Sequence, residues 1–242
     1  MKKRLWIALA ALPALVACQQ PWGYEAERNA QLMATHQVPE EQYDVPPQVV
    51  YQIDDHRFIT VENYNSCYGD TWYNDTKQGV RTNVGETWVN GFRGKLIIDD
   101  PTGMNVVIPT VSTNLCGDRG CKSYAAYSTD GGRTFKWFQY DREHIGFDSV
   151  ESSRLYKFFV LRDRLYVVHR WSESYGTDDN DAVRQYPLVP GIDLSKPYPE
   201  GIHGDGFDVS ARPGYITGVR TPTGQDHYIC DASIHDPKVL KR

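Results

Sequence analysis

The chain has 242 residues, with 26 Lys and Arg against 31 Asp and Glu, a formal net charge of −5. Three of the positives fall in the first four residues, so residues 18–242 carry −8, which excludes nucleic acid as the main partner, since phosphate binding needs clustered excess Lys and Arg. Hydrophobic content of 40% and charged content of 24% describe a globular chain, and the one long apolar run, Leu5 to Ala17, is too short to cross a bilayer as a helix.

The first element is an address. Lys2-Lys3-Arg4 is a positive n-region, Leu5 to Leu12 is a short apolar h-region, and Leu15-Val16-Ala17-Cys18 has the pattern of a bacterial lipobox. Residues 1–17 are therefore expected to be a lipoprotein signal peptide, with the thiol of Cys18 as lipid acceptor. Several acyl chains on one residue give stable anchoring where one chain binds only marginally. Gln19, at the position after the acceptor, points to the outer membrane, with the domain facing the periplasm. Residues 18–43 read as a polar, Pro-bounded tether with room for one short helix over Tyr24 to Thr35.

Residues 44–242 read as one β-rich domain. Val49 to Ile53 and Arg57 to Val61 are β-branched and aromatic runs split by Asp54-Asp55-His56, a hairpin pattern. Lys95 to Ile98 runs through Asp99 to Gly103 into Met104 to Ile108, a second expected pair. Tyr124 to Tyr127 and Lys136 to Tyr140 flank a Gly-Gly turn, Lys157 to Leu161 precedes Arg164 to Val168, and Tyr215 to Arg220 precedes His227 to Ile229 across Thr221 to Gly224. Pro187 to Gly191 and Pro197 to Pro199 read as a rigid connection. Short strands punctuated every 8–12 residues predict an all-β single domain of antiparallel hairpins, built as a sandwich, barrel or small propeller.

The turn Ser128-Thr129-Asp130-Gly131-Gly132-Arg133-Thr134-Phe135 resembles the Asp-box of sialidases and related propellers. Asp130 is placed to accept backbone N–H bonds across the turn, Gly132 to supply positive φ, and Phe135 to pack beneath it, with Ser128 and Thr134 completing the pattern. Such a turn is structural and lies away from catalysis. Besides Cys18, the cysteines are Cys67, Cys116, Cys121 and Cys230, which allow three disulfide connectivities. The compact Cys116 to Cys121 turn favours a local bridge, and Cys67–Cys230 would then staple an early strand to the last one. Zinc fits poorly, because a C-x4-C pair with two distant Cys does not match finger spacing.

No catalytic set stands out. There is no G-x-S-x-G elbow and no phosphate-cradling glycine loop. Arg57, Arg81, Arg154 and Arg220 with Glu62 and Tyr64 are a sialidase-like set only on paper. His56, His144, His169, His203 and His227 lack ligand spacing, and Asp178 to Asp181 lacks the Gly and Glu positions of a calcium loop. The residues therefore predict no catalytic residue, no metal site and no cofactor, and favour binding over catalysis.

Asp44 to Tyr51, Tyr73 to Lys77, Asp100 to Asn105, Cys116 to Cys121, Tyr127 to Phe135, Tyr186 to Leu194, Arg220 to Gln225 and Cys230 to Ile234 together resemble the immunity lipoproteins of type VI secretion lipase effectors, those partnering the third class of such effectors. That resemblance implies a non-enzymatic protein that binds a cognate lipase or phospholipase effector of α/β-hydrolase type and neutralises it, protecting the producing cell and its kin. It touches the membrane through its lipid anchor only. The rival expectations are an envelope glycan- or protein-binding lipoprotein and a sialidase-like glycoside hydrolase. Tyr and Trp dominate binding hot spots, which singles out Tyr68, Trp72, Tyr73, Trp171 and Tyr175 as contact candidates.

Overall fold

The computed structural model describes residues 42–111, 116–117, 120–141, 148–170, 181–235 and 238–239. Cys18, the 24–35 segment, His144, Trp171, Tyr175 and Asp178 to Asn180 lie outside the described residues. Residues 42–242 form one compact unit. Among the described residues 43% are strand and 6% helix, in several antiparallel sheets with no closed barrel, so the all-β expectation holds.

A four-stranded meander joins β1 (Gln48–Gln52), β2 (Arg57–Asn65), β3 (Tyr68–Asp75) and β4 (Val80–Thr87) in chain order. A three-stranded sheet places β9 (Tyr124–Ser128) between β6 (Val106–Pro109) and β10 (Lys136–Gln139). A five-stranded sheet runs β14 (Asp205–Asp208), β13 (Ala182–Pro187), β12 (Arg164–His169), β11 (Tyr156–Val160), β5 (Lys95–Ile98). Cys116–Gly117 (β7) and Gly120–Cys121 (β8) make a small ribbon that sets Cys116 directly across from Cys121, and Cys121 is disulfide-bonded. One short helix, α1 (Ser149–Ser153), is capped by Asp148, whose carboxylate accepts from the N–H groups of Val150 and Glu151.

The β1–β2, β9–β10 and β11–β12 hairpins follow the sequence expectation. The expected pair over 95–108 does not form. β5 lies parallel to β11 while β6 pairs with β9. The connection explains the divergence. Asp100 is buried and accepts from Thr102 N, the Thr102 hydroxyl and Asn105 N. Asn105 in turn donates its side-chain N–H to the carbonyls of Leu161 and Arg162, so the turn, closed on itself by Asp100, is also tied to the β11–β12 corner.

A single large core spans the sheets: Ile59 and Tyr73 from the meander, Ile108, Tyr127 and Phe138 from the three-stranded sheet, Leu96, Phe158 and Leu165 from the five-stranded one. The opposite face of the five-stranded sheet carries a second cluster of Ile97, Phe159, Tyr166, Val168 and Val183. Burial on both faces is why β11 and β12 read as continuous apolar runs without alternation. Tyr215, Ile216 and Val219 pack on that second cluster as a cover. They form no strand, nor do His227 to Ile229, contrary to the pattern expectation, because apolar side chains can be buried by a turn-rich layer as well as by a ladder.

The C-terminal segment instead seals the free edge of β1. Gln225 accepts from Gln52 N through Oε1 (2.8 Å) and donates through Nε2 to Val50 O (2.9 Å), imitating a strand with a side chain, and Ile229 N also donates to Val50 O. The Cys67–Cys230 disulfide lies at the same end, joining the tight β2–β3 turn to this segment across 163 positions. The staple therefore holds a turn to an irregular segment, not a strand to a strand.

The turn between β9 and β10 is built by Asp130. Its carboxylate accepts from Arg133 N (3.1 Å), Thr134 N (3.0 Å), the Thr134 hydroxyl (2.6 Å) and the Ser128 hydroxyl (2.7 Å). Burial works to raise its pKa, yet the bonds from Thr134, Ser128 and Arg133 outweigh it and hold the carboxyl below its ordinary value. Ser128 Oγ also accepts from Gly132 N, and Phe135 meets Tyr73 edge-on at 6.0 Å between centroids. Gly131 N donates to Met104 O, so this turn is joined to the one after β5.

Two outcomes follow from this architecture. Replacing Cys67 and Cys230 by Ser should lower unfolding free energy by about 2–5 kcal/mol in denaturant titration, because a long loop of unfolded chain is freed. Gly132 has φ +78°, and a Cβ there would lie 2.0 Å from Tyr73 Cε1, whereas at Gly131 (φ +73°) the nearest atom is Arg133 Nη1, the end of a long side chain, at 2.8 Å. Gly132→Ala should therefore cost about 3 kcal/mol or more, and Gly131→Ala only about 1–2, since left-handed backbone alone costs about 1–2 and overpacking a rigid ring about 1–3.

Candidate binding surface

The meander has one face in the core and one in solvent. Inward go Ile59, Val61, Tyr73 and Val84, with the hydroxyls of Thr71 and Thr87 bonded to each other at 2.6 Å. Outward, by the period-two alternation of a strand, go Phe58 and Glu62 from β2, Asp70 and Trp72 from β3, and Arg81 and Asn83 from β4.

The centre of that face is a fixed array. The Arg81 guanidinium lies over the Trp72 ring, 3.9 Å from its centroid, and donates through Nη2 to both carboxylate oxygens of Glu62 at 2.8 and 2.7 Å. Glu62 also accepts from the Thr60 hydroxyl, which accepts from Asn74 Nδ2. Each side chain is thus held by the next, across three strands. Exposed ion pairs contribute little to stability, and their use here is to hold an aromatic ring and a guanidinium in one geometry. Trp and Arg held in place lose little freedom on association, which suits them as anchors. Tyr68, 38% exposed, stands at the start of β3, its pKa raised by partial burial and by the charge of Glu86.

Of the aromatic contact candidates, Trp72 is half-buried on this face and Tyr68 is exposed beside the turn. Tyr73 is core, fully buried against Phe135, and is corrected here from contact to support. Its neighbour Trp72 points the opposite way because adjacent strand residues alternate faces. Arg81 was not singled out as an anchor by sequence reasoning. The exposed-position alternation along β4 is the signal that would have found it.

Of the sialidase-like set, Arg81 meets Glu62, but Arg57 pairs with Asp54 and Arg154 with Glu151, so the arginines do not converge on one centre. Among the described residues, one group has the ligand spacing of a cation site: Asp54, Asp55 and His56 lie within 4.8 Å of one another. Asp54 already accepts from His56 N, Arg57 N and Arg57 Nε, so its oxygens are committed to the β1–β2 turn. Ser128, Asp130, Gly132, Thr134 and Phe135 sit in the hairpin turn described above, Cys67 and Cys230 are joined in a disulfide, and Cys116 pairs with Cys121 across the β7–β8 ribbon.

No curated protein matches the sequence. The family described as T6SS Tli3 immunity protein matches residues 43–169, which run from the bridge residue before β1 to the last residue of β12 and include the whole Trp72–Arg81–Glu62 face. With more than half of its length matched, the chain belongs to the T6SS Tli3 immunity protein family.

Proposed function

We propose that this protein binds and neutralises a cognate lipase or phospholipase effector of α/β-hydrolase type, delivered by type VI secretion, and does so as a binding protein without turnover. The family match carries this reading. Two further observations support it: the Trp72–Arg81–Glu62 array on the outward face of the meander, and the resemblance of eight sequence segments to lipase immunity lipoproteins. The protein works from the periplasmic side, held to the outer membrane by acyl chains on Cys18, which places it where an envelope-active lipase would act.

The anchoring part is tested by replacing Cys18 with Ser. The wild type should incorporate labelled palmitate and sediment with membranes, and the variant should do neither. Label on the variant would defeat the assignment.

The functional part is tested with the domain made without residues 1–17 and the lipase encoded beside its gene. Stoichiometric addition should abolish phospholipase activity, with nanomolar affinity or tighter, about −12 kcal/mol. Trp72→Ala should weaken binding by about 2 kcal/mol or more, as hot-spot truncations do, while leaving the melting temperature nearly unchanged because the ring packs outward. Full lipase activity at molar excess, with no co-elution on gel filtration, is the outcome that defeats this reading.

A further inference from the structure

A cleft of about 500 Å³ opens where four turns meet: residues 54–57 between β1 and β2, 75–78 between β3 and β4, 101–104 after β5, and 131–133 between β9 and β10. Its floor holds an unusual group. Arg57 is 3% exposed, and its Nε donates to Asp54 Oδ2 at 2.6 Å. Its Nη1, also buried, has no hydrogen-bond partner. A charged N–H donor left unmatched in a protein interior is costly, so an acceptor belongs there. Nη1 lies beside Gly103, where a Cβ would sit 3.4 Å away, so the glycine sets no side chain of its own against the guanidinium.

The carboxylates already in the cleft do not accept from Nη1 and are engaged by other donors. Asp54 is engaged by His56 N, Arg57 N and Arg57 Nε. Asp75 Oδ1 accepts from Lys77 N and Gln78 N, closing the β3–β4 turn, and lies 3.2 Å from His56 Nδ1. At the rim stand two exposed cations, Lys77 and Arg133, and Arg133 is held toward the cleft by its Nη1 bond to Asp130 O. The unmet demand of the cleft is therefore for negative charge and hydrogen-bond acceptors, and its rim would steer such a group inward.

We propose that this cleft receives an acidic side chain, an Asp or Glu of the effector, whose carboxylate reaches Arg57 between Lys77 and Arg133; this rests on the effector-binding reading above. Three features favour a protein carboxylate as the occupant. The cleft has room for one or two side chains, its walls include the apolar Pro101, Met104 and Pro222, and it is built from hairpin turns, the part of a β framework that partners commonly contact. A desolvated charge pair of this kind supplies orientation and specificity together with attraction.

The test has two arms. In the first, the mature domain carrying Lys77→Glu and Arg133→Glu, and separately Met104→Glu at a 42% exposed position, is titrated against the lipase encoded beside its gene. Each should bind about tenfold weaker or worse, with a shallower salt dependence in the double variant, while the exposed Lys122→Glu outside the cleft matches the wild type. Unchanged affinity in both cleft variants, with the wild type binding, overturns the proposal and leaves the effector-binding reading standing. The second arm needs no effector. With isotope-labelled arginine, the side-chain signal of Arg57 in the wild-type domain should move saturably on addition of glutarate, and the double variant should lose the response. A signal indifferent to glutarate overturns the proposal, as does saturation by inorganic phosphate at lower concentration than by glutarate, which would mark a phosphate site. Arg57 is itself left intact in both arms, because its pairing with Asp54 supports the turn.

Discussion

The ring of Phe92, which is buried, lies 5.6 Å from Phe158, 6.3 Å from Tyr140 and 6.2 Å from Tyr228, edge-on to all three. These partners come from the five-stranded sheet, from the residue after β10, and from the C-terminal segment. Sheets of three or four short strands cannot bury an apolar face alone, and each here depends on the others to cover it. Edge-to-face packing fixes angles as well as distances, so Phe92 sets how the layers meet. Tyr140 extends the contact to Tyr156 at 5.0 Å, and Tyr127 with Phe138 continues it beneath the Asp130 turn. The meander that carries the Trp72 face shares this core through Ile59 and Tyr73.

What could be read from the sequence was local. Val49 to Val61 and Lys157 to Val168 announced their hairpins because the strands are consecutive and the turn residues stand between them. β5 and β6 were mispaired because β5's partner, β11, arrives some sixty positions later, and a parallel pairing leaves no local trace. β13 went unread since Ala182 to Pro187 mixes Arg and Gln with apolar residues and ends in a proline that pointed to a linker. Helix α1 is five residues long, too short for any 3.6-residue pattern.

The candidate surface was half legible. Composition could nominate Trp72, and strand alternation could separate it from the buried Tyr73. The Arg81 contact depends on the register set at the β3–β4 turn, which pairs Asp75 with Val80 and Asn74 with Arg81 and so leaves Arg81 within reach of the Trp72 ring, and strand alternation alone does not give that register. The unmatched Arg57 was less legible still. A single arginine beside two aspartates reads as an ordinary ion pair until the burial of each nitrogen is known.

The two margins of the folded unit lie side by side. Tyr43 bridges Val239, Asp44 N donates to Lys238 O at 3.1 Å, and Cys67–Cys230 closes the chain into a covalent ring nearby. A protease that cuts once anywhere between Cys67 and Cys230 therefore opens the ring without releasing a piece, and the two segments remain one molecule sharing one core. Damage to a surface loop within the ring thus becomes a nick and not a loss.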